Sequence, residues 1–295
     1  MMEQNKIEID IVCPIYKGYN HLQRLIDSFY KQIGIKINKI VFPITDSEDD
    51  EMIKIRNFVQ QNHIDSFEVK KNEFSHSLTR EKAIREFCTS NIVVMMSQDV
   101  IIKANDVFFN LVKDIVAKNS VYNFARQVCT NKSIEKYIRE KNYPAQSYFV
   151  TKKDISKMQL MAFFASDACS AYDRNVFLDV GGYNGYDIMM GEDMLYSKII
   201  LGKGYIKKYC ADAVVEHSHK YTLKQLYKRY YDTGVFHSKV KIFDEYKSTD
   251  SGLKLALYVL KQALKHFDIP VLFRWLPDMT IRYFGMKKGR KDVIL

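Results

Sequence analysis

No stretch of this 295-residue chain is apolar for long enough to cross a bilayer, and residues 1–10 are polar, without the apolar core of a secretory leader. We therefore expect it on the cytoplasmic side of the membrane. The five cysteines, at 13, 88, 129, 169 and 210, stand forty or more residues apart and form no Cys-x-x-Cys pair. That dispersion disfavours a disulfide framework or a zinc centre and fits a reducing compartment. No Gly-x-Gly-x-x-Gly follows the first apolar run and no Gly-x-x-x-x-Gly-Lys-Ser/Thr occurs, which removes the main support for a dinucleotide or P-loop fold. Internal repeats and low-complexity linkers are also missing, so no domain boundary shows as a break in composition.

What is present is an ordinary globular composition, 47% hydrophobic and 27% charged, enough to bury a large core. β-branched runs at 7–12, 39–44, 67–70 and 92–96 alternate with helical spacing at 21–32, through about residue 61, and at 77–87. This alternation predicts βαβ units and a doubly wound, mostly parallel α/β sheet. Residues 107–148 read as irregular and helical, and strand character returns at 160–172 and 205–217.

The charge is unevenly placed. Residues 220–295 hold 16 Lys and Arg against 7 Asp and Glu, whereas residues 1–219 hold 29 against 28, so the net +10 belongs almost wholly to the last quarter. There Leu253, Ala256, Leu257, Leu260, Ala263, Leu264 and Phe267 fall on one helix face, with Lys254, Lys261 and Lys265 off it. Trp275, Tyr283 and Phe284 follow, beside Arg274, Arg282 and the cluster Lys287, Lys288, Arg290 and Lys291. A basic amphipathic tail with aromatics suits an anionic bilayer surface. The alternative is a helix packed on the body with solvated lysines. Nucleic acid is not expected as a partner, because nothing in the chain resembles a nucleic-acid reading module.

The chemistry-bearing residues lie at the ends of apolar runs. Asp99 closes the run at 91–96 through Ser97-Gln98-Asp99, Glu192-Asp193 open a helix after Met190-Gly191, and His217-Ser218-His219 end the last strand. Adjacent carboxylates and a His-x-His pair are what a metal-assisted group transfer requires, and ligands of open α/β sheets bind beyond the carboxyl ends of the strands. Each group also has a structural use, as a helix cap or as a histidine satisfied in a turn.

In order along the chain, Val12-Cys13-Pro14-Ile15-Tyr16, Thr45-Asp46-Ser47, Phe74-Ser75-His76-Ser77-Leu78-Thr79-Arg80, Ser97-Gln98-Asp99, Gly181-Gly182-Tyr183, Gly191-Glu192-Asp193 and His217-Ser218-His219 resemble family 2 glycosyltransferases of the GT-A fold. Ala125-Arg126-Gln127, Asn142-Tyr143-Pro144 and the stretch 166–172 resemble, more narrowly, bacterial rhamnosyltransferases of surface-polysaccharide assembly. The resemblance covers roughly residues 7–240.

It implies a nucleotide-sugar-binding half at 1–105, an acceptor-binding and catalytic half at 106–236, and a basic helical tail at 237–295. Asp99 corresponds to the last carboxylate of the family's Asp-x-Asp motif and becomes a ligand of Mg²⁺ or Mn²⁺. Ser97 stands where the first Asp is usual, so His217, with His219 as the alternative, completes the shell. Asp193 is the expected general base of an inverting transfer, and Glu192 orients its loop or binds an acceptor hydroxyl. Pro14, Tyr16, Asp46, Arg80, Gln98 and Arg126 are assigned to the nucleotide sugar, and His76 to a phosphate contact or to helix entry. Glu81 replaces a usual Asn, and Asp167, also in place of an Asn, is assigned with Gly182 to the acceptor. The expected reaction moves L-rhamnose from dTDP-rhamnose to a polyprenyl-linked, growing surface polysaccharide, with the enzyme peripheral on the inner face of the cell membrane. A UDP-hexose transferase and a non-catalytic basic binding protein are the rival readings.

Overall fold

The computed structural model describes residues 6–241, 246 and 249–293; the rest of the polar N-terminus read above, residues 1–5, lies outside that description. β1 (Ile7–Val12) is followed by α1 (Tyr19–Tyr30), whose Leu22, Leu25, Ile26 and Phe29 recur at helical spacing and are all buried. β2 (Ile35–Thr45), α2 (Asp50–Gln61), β3 (Asp65–Val69), α3 (His76–Lys82) and β4 (Ile92–Met96) continue the alternation. Asp49 caps α2 by accepting the Glu51 N–H at 3.2 Å, and Ser75 caps α3 by accepting the Leu78 N–H at 3.1 Å. These strands pair in parallel in the order β3-β2-β1-β4, with the helices as crossovers. Ile92, Val94 and Met96 enter one apolar cluster and Val93 and Met95 another, as a strand buried on both faces demands.

After β4 come β5 (Ile101–Ile102), α4 (Val107–Val116), β6 (Tyr122–Val128), α5 (Ile134–Asn142), β7 (Tyr148–Val150), α6 (Ile155–Met158), β8 (Cys169–Asp173), α7 (Arg174–Asp179), α8 (Glu192–Gly202) and β9 (Lys207–Glu216). The sheet order is β3-β2-β1-β4-β8-β6-β9-β5, with β7 beside β9. β8 runs antiparallel to both β4 and β6, while β6 and β9 are parallel. The doubly wound, mostly parallel sheet expected from the sequence is thus realised as a mixed sheet whose first half is all parallel. Two local expectations change. The span 107–148 contains the central strand β6, and 160–172 opens in a tight helical turn at Gln159–Ala162, with strand only from Cys169. All five cysteines are free and buried.

The tail is α9 (Leu223–Val240), α10 (Thr249–Lys265) and α11 (Ile269–Asp292), and the expected division at 236/237 falls inside α9. α11 lies so close on α9 that a Cβ at Gly289 would stand 2.0 Å from the Tyr231 carbonyl oxygen, and one at Gly234 2.3 Å from that of Met286. Only glycine allows such an approach of two backbones. Val259 and Ala263 of α10 are buried against Ile134, Tyr137 and Ile138 of α5 and Val271 of α11, and the Trp275 indole N–H donates to the Ala256 carbonyl at 2.9 Å. The apolar stripe read from the sequence is therefore divided: Ala263 faces inward, while Leu253, Leu257, Leu264 and Phe267 face solvent. Not all of the tail's positive charge faces outward either, since buried Arg282 is paired with Glu135 at 2.6 Å and Asp278 at 2.5 Å. No helix among the described residues is long and apolar enough to cross a membrane.

Candidate active site

The carboxyl ends of β1, β2 and β4 share one edge of the sheet, because the three strands are parallel and adjacent. β9 reaches the same neighbourhood by another route. Ile101 of β5 pairs antiparallel with Glu216 of β9, which brings Asp99, just before β5, beside His217, just after β9. The Asp99 carboxylate lies 3.4 Å from His217 Nε2 and 3.7 Å from His219 Nδ1. Ligand atoms of all three converge within 4.8 Å.

The protonation pattern suits a cation. Burial lowers the pKa of His217, and burial together with neighbouring His217 lowers His219 to about 4, so both imidazoles are neutral at pH 7. His217 Nδ1 lies 2.8 Å from Gln127 Oε1, which also accepts from the Arg139 guanidinium. Arg139, which can only donate, also lies 3.3 Å from His217 Nδ1, so Gln127 and Arg139 together hold the ring on that side. His217 Nε2 faces the Asp99 carboxylate. Groups behind a histidine that fix its ring orientation are the usual outer support of a metal ligand. One carboxylate and two imidazoles form a small mixed donor set that suits Mn²⁺ and leaves room for substrate oxygens.

The acidic pair sits where α8 begins. Gly191, at φ +91°, precedes it, and a Cβ there would meet the Phe236 ring at 2.4 Å. Glu192 is buried and ion-paired to Arg80, which also lies 3.3 Å from Asp167 Oδ2. Asp193 is left without a cationic partner among the described residues and accepts only the Met194 N–H, at 2.7 Å. Burial, then the charges of Glu192 and Asp167, push its pKa well above the usual carboxylate range. Tyr143, whose ring lies 5.7 Å from the Arg139 guanidinium, also feels the Asp193 charge.

No protein-family model matches the chain. Two curated proteins do: O-antigen chain rhamnosyltransferase RfbN of Salmonella typhimurium is 29% identical over 314 residues, 96% of each chain, and WbaN of Salmonella anatum is 29% identical over 302 residues, 95% of this chain and 94% of its own. Among solved structures, the mannosyltransferase PcManGT of Pyrobaculum calidifontis, in complex with GDP-Man and Mn²⁺, superposes with a TM-score of 0.61 at 15% identity, over 98% of this chain and 87% of that one. S. aureus TarS 1-349, in complex with UDP-GlcNAc, gives 0.56 at 11% identity over 97% and 89%. The chain has the GT-A fold.

Several groups stand elsewhere than the sequence suggested. Arg80 is 3% exposed and its charge is taken up by Glu192 and Asp167, so it braces the α8 N-terminus instead of reaching a nucleotide phosphate. Asp167 accepts from the hydroxyls of Tyr122, Ser170 and Tyr172 at 2.9, 2.5 and 2.7 Å and is buried, so it cannot meet an acceptor directly. His76 is held neutral by burial and by Arg80, with a pKa lowered to about 3, and its Nδ1 is buried without a partner, which removes it as a cationic phosphate contact. The Gln98 amide clasps the Tyr16 backbone at both ends, at 2.8 and 2.9 Å, and so shapes the β1 loop. Gly182 has φ +60°, and a Cβ there would lie 2.6 Å from the Glu81 carboxylate, which accepts the Tyr183 N–H at 2.9 Å. Glu81, in place of the usual Asn, is the latch of this turn, and Gly182 serves its geometry.

Other candidates remain at the open edge. Tyr16 is 41% exposed after half-buried Pro14, with the Lys17 and Lys71 ammonium groups about 6 Å from its ring. Asp46 follows β2 and accepts the Glu48 N–H at 2.9 Å, which leaves its other oxygen for a ligand. Arg126 and Gln127 are consecutive in β6 and so point to opposite faces; Gln127 supports His217, and Arg126 lies near Tyr209. Arg139 was missed in the sequence, because nothing in the charged run of α5 marks one arginine among its neighbours.

Proposed function

We propose that the transferase moves L-rhamnose from dTDP-rhamnose to a polyprenyl-linked saccharide, with inversion at the anomeric carbon, on the cytoplasmic side of the membrane. The observations that carry the chemistry are the convergence of Asp99, His217 and His219 and, at the start of α8, an unpaired carboxylate of raised pKa. The rhamnosyl donor is supported by the two curated relatives, whose lengths match this chain almost fully.

Asp99, His217 and His219 would hold Mn²⁺ or Mg²⁺, which takes up negative charge on the leaving diphosphate. Gln127 and Arg139 would hold the His217 ring in place beside Asp99. Tyr16 offers its ring to the base and Asp46 a carboxylate to the base or ribose. Asp193 accepts the proton of the acceptor hydroxyl while that oxygen bonds to the anomeric carbon and the bond to the diphosphate oxygen breaks, its electron pair leaving with the nucleotide. Arg80 neutralises Glu192, so of the two adjacent carboxylates only Asp193 is free to act as base.

A panel of nucleotide sugars, offered with a polyprenyl-linked saccharide and assayed for nucleotide release with and without EDTA, tests this reading. dTDP-rhamnose should be consumed, and EDTA should stop it. Consumption of a UDP-hexose instead would replace the donor, and EDTA-resistant turnover would remove the metal from the scheme.

The same reading includes membrane contact through the tail. Leu253, Leu257, Leu264 and Phe267 line the open face of α10, and Ile269, Phe273 and Leu276 that of α11, with Phe267 and Phe273 more than 80% exposed. Exposed Lys254, Lys261, Lys265, Lys287, Lys288 and Lys291 complement an anionic surface. Transfer of a phenyl side chain out of water is worth about 1.5–3 kcal/mol when complete, so Phe267→Ser/Phe273→Ser should weaken co-sedimentation with phosphatidylglycerol vesicles about tenfold or more. Unchanged co-sedimentation would sink the membrane assignment.

A further inference from the structure

Beside the metal-ligand cluster lies a cavity of about 320 Å³ whose lining includes His219, Lys132, Ser133, Lys220, Pro270 and Arg274. Its walls come from the N-terminus of α5, the loop after β9 and the first turns of α11, so the body and the tail build it jointly. The two acidic side chains in its wall, Glu135 and Asp278, are both paired to Arg282 behind them. Arg274 donates to the Tyr221 carbonyl at 2.9 Å and approaches Asp278 only at 3.8 Å. With Arg282 set against the two acids, Lys132, Lys220 and Arg274 make the cavity cationic. The Ser133 hydroxyl oxygen, at the cap position of α5, is buried and finds no hydrogen-bond partner. Ile134 and Glu135 of the first α5 turn line the same cavity, and the positive end of that helix dipole favours an anion.

Two neighbours indicate which anion. On one side the wall is His219, itself part of the Asp99 cluster. On the other, Pro270, Val271 and Arg274 line the cavity from the same two turns of α11 whose opposite face exposes Ile269, Phe273 and Leu276. A molecule with a hydrocarbon chain along that exposed face would bring its phosphate into the cavity and its sugar to the cluster. We propose that this cavity holds the phosphate of a short lipid-linked saccharide, the acceptor of the transfer proposed above. The inference rests on that reading for the sugar transferred, but the phosphate site can be tested without any donor.

The test is calorimetric titration of the full chain, in EDTA, with farnesyl phosphate, farnesol, dTDP and dioctanoyl phosphatidylglycerol. The variants are Lys132→Ala/Lys220→Ala, at exposed positions, and Arg274→Gln, with thermal melts and dTDP binding in Mn²⁺ as controls for folding. Farnesyl phosphate should bind saturably, farnesol should not, and each variant should weaken the phosphate about tenfold while leaving the controls unchanged. Equal affinity in wild type and variants, or no binding to wild type, would overturn the site. Metal-free dTDP binding that falls in the same variants would assign the cavity to the donor diphosphate, and equal, variant-sensitive binding of the phosphatidylglycerol would make it a headgroup site; both overturn the acceptor assignment. A different sugar donor in the nucleotide-release panel would correct the proposed function and leave these titrations standing.

Discussion

Asp193→Asn should lower kcat by about 10²–10⁴-fold, the range of a positioned general base, with little change in the KM for the nucleotide sugar. The amide has nearly the same shape and can still accept the Met194 N–H, so the loss reads the missing proton acceptor and not a disturbed helix start. The wild-type pH profile should carry the same signature. Burial and the charges of Glu192 and Asp167 raise the Asp193 pKa, so activity rises with pH as Asp193 ionises, on a limb displaced upward from the ordinary carboxylate range. The stability consequence runs the other way. A carboxyl whose folded pKa is raised contributes its full stability below the unfolded pKa, and that contribution is lost as pH rises through the folded value. Once ionised, Asp193 is therefore a burden on the fold, and above its folded pKa Asp193→Asn should raise Tm while lowering turnover. A melt that drops together with activity would mean a structural role, and an unchanged kcat would remove Asp193 from the mechanism.

Legibility differed along the chain for physical reasons. β4, the last six residues of β2 and the last four of β1 are buried on both faces, and α1 carries its apolar residues at a clean helical period, so each announces itself. β6 reads Tyr-Asn-Phe-Ala-Arg-Gln-Val, and its Asn123 and Gln127 are buried polar groups whose partners come only from the fold, Asn123 on the Leu111 carbonyl and Gln127 Oε1 on His217 and Arg139, while Gln127 Nε2 finds none. No local pattern distinguishes such a strand from a loop. The same limit applied to Arg80: a sequence displays its charge, but its partners Asp167 and Glu192 lie 87 and 112 residues away. The choice posed between His217 and His219 dissolves once β5 pairs with β9, since both rings then face Asp99. In the tail, net charge was legible but direction was not, because glycine contacts between α9 and α11 and the Arg282 ion pairs turn part of the basic surface inward.

Asp99→Asn should cost about as much as the loss of Asp193, for a different reason, and the two can be told apart. A metal that neutralises a leaving diphosphate supplies several kcal/mol of transition-state stabilisation, so its loss lowers the rate by about 10³-fold or more. Asp99 contributes the only negative charge among the three converging ligands, while His217 and His219 are neutral at pH 7. Removing that charge leaves two imidazoles to hold a divalent cation against water. Mn²⁺ affinity, read by titration or by the paramagnetic broadening of bound Mn²⁺, should therefore fall with activity in Asp99→Asn and remain intact in Asp193→Asn. Raising Mn²⁺ should restore part of the lost rate in Asp99→Asn and none in Asp193→Asn, because only the first defect is one of occupancy. If Asp99→Asn bound Mn²⁺ as wild type does, the aspartate would be a partner of the two histidines without a metal, and the charge on the leaving group would have to be met by the protein's own cations.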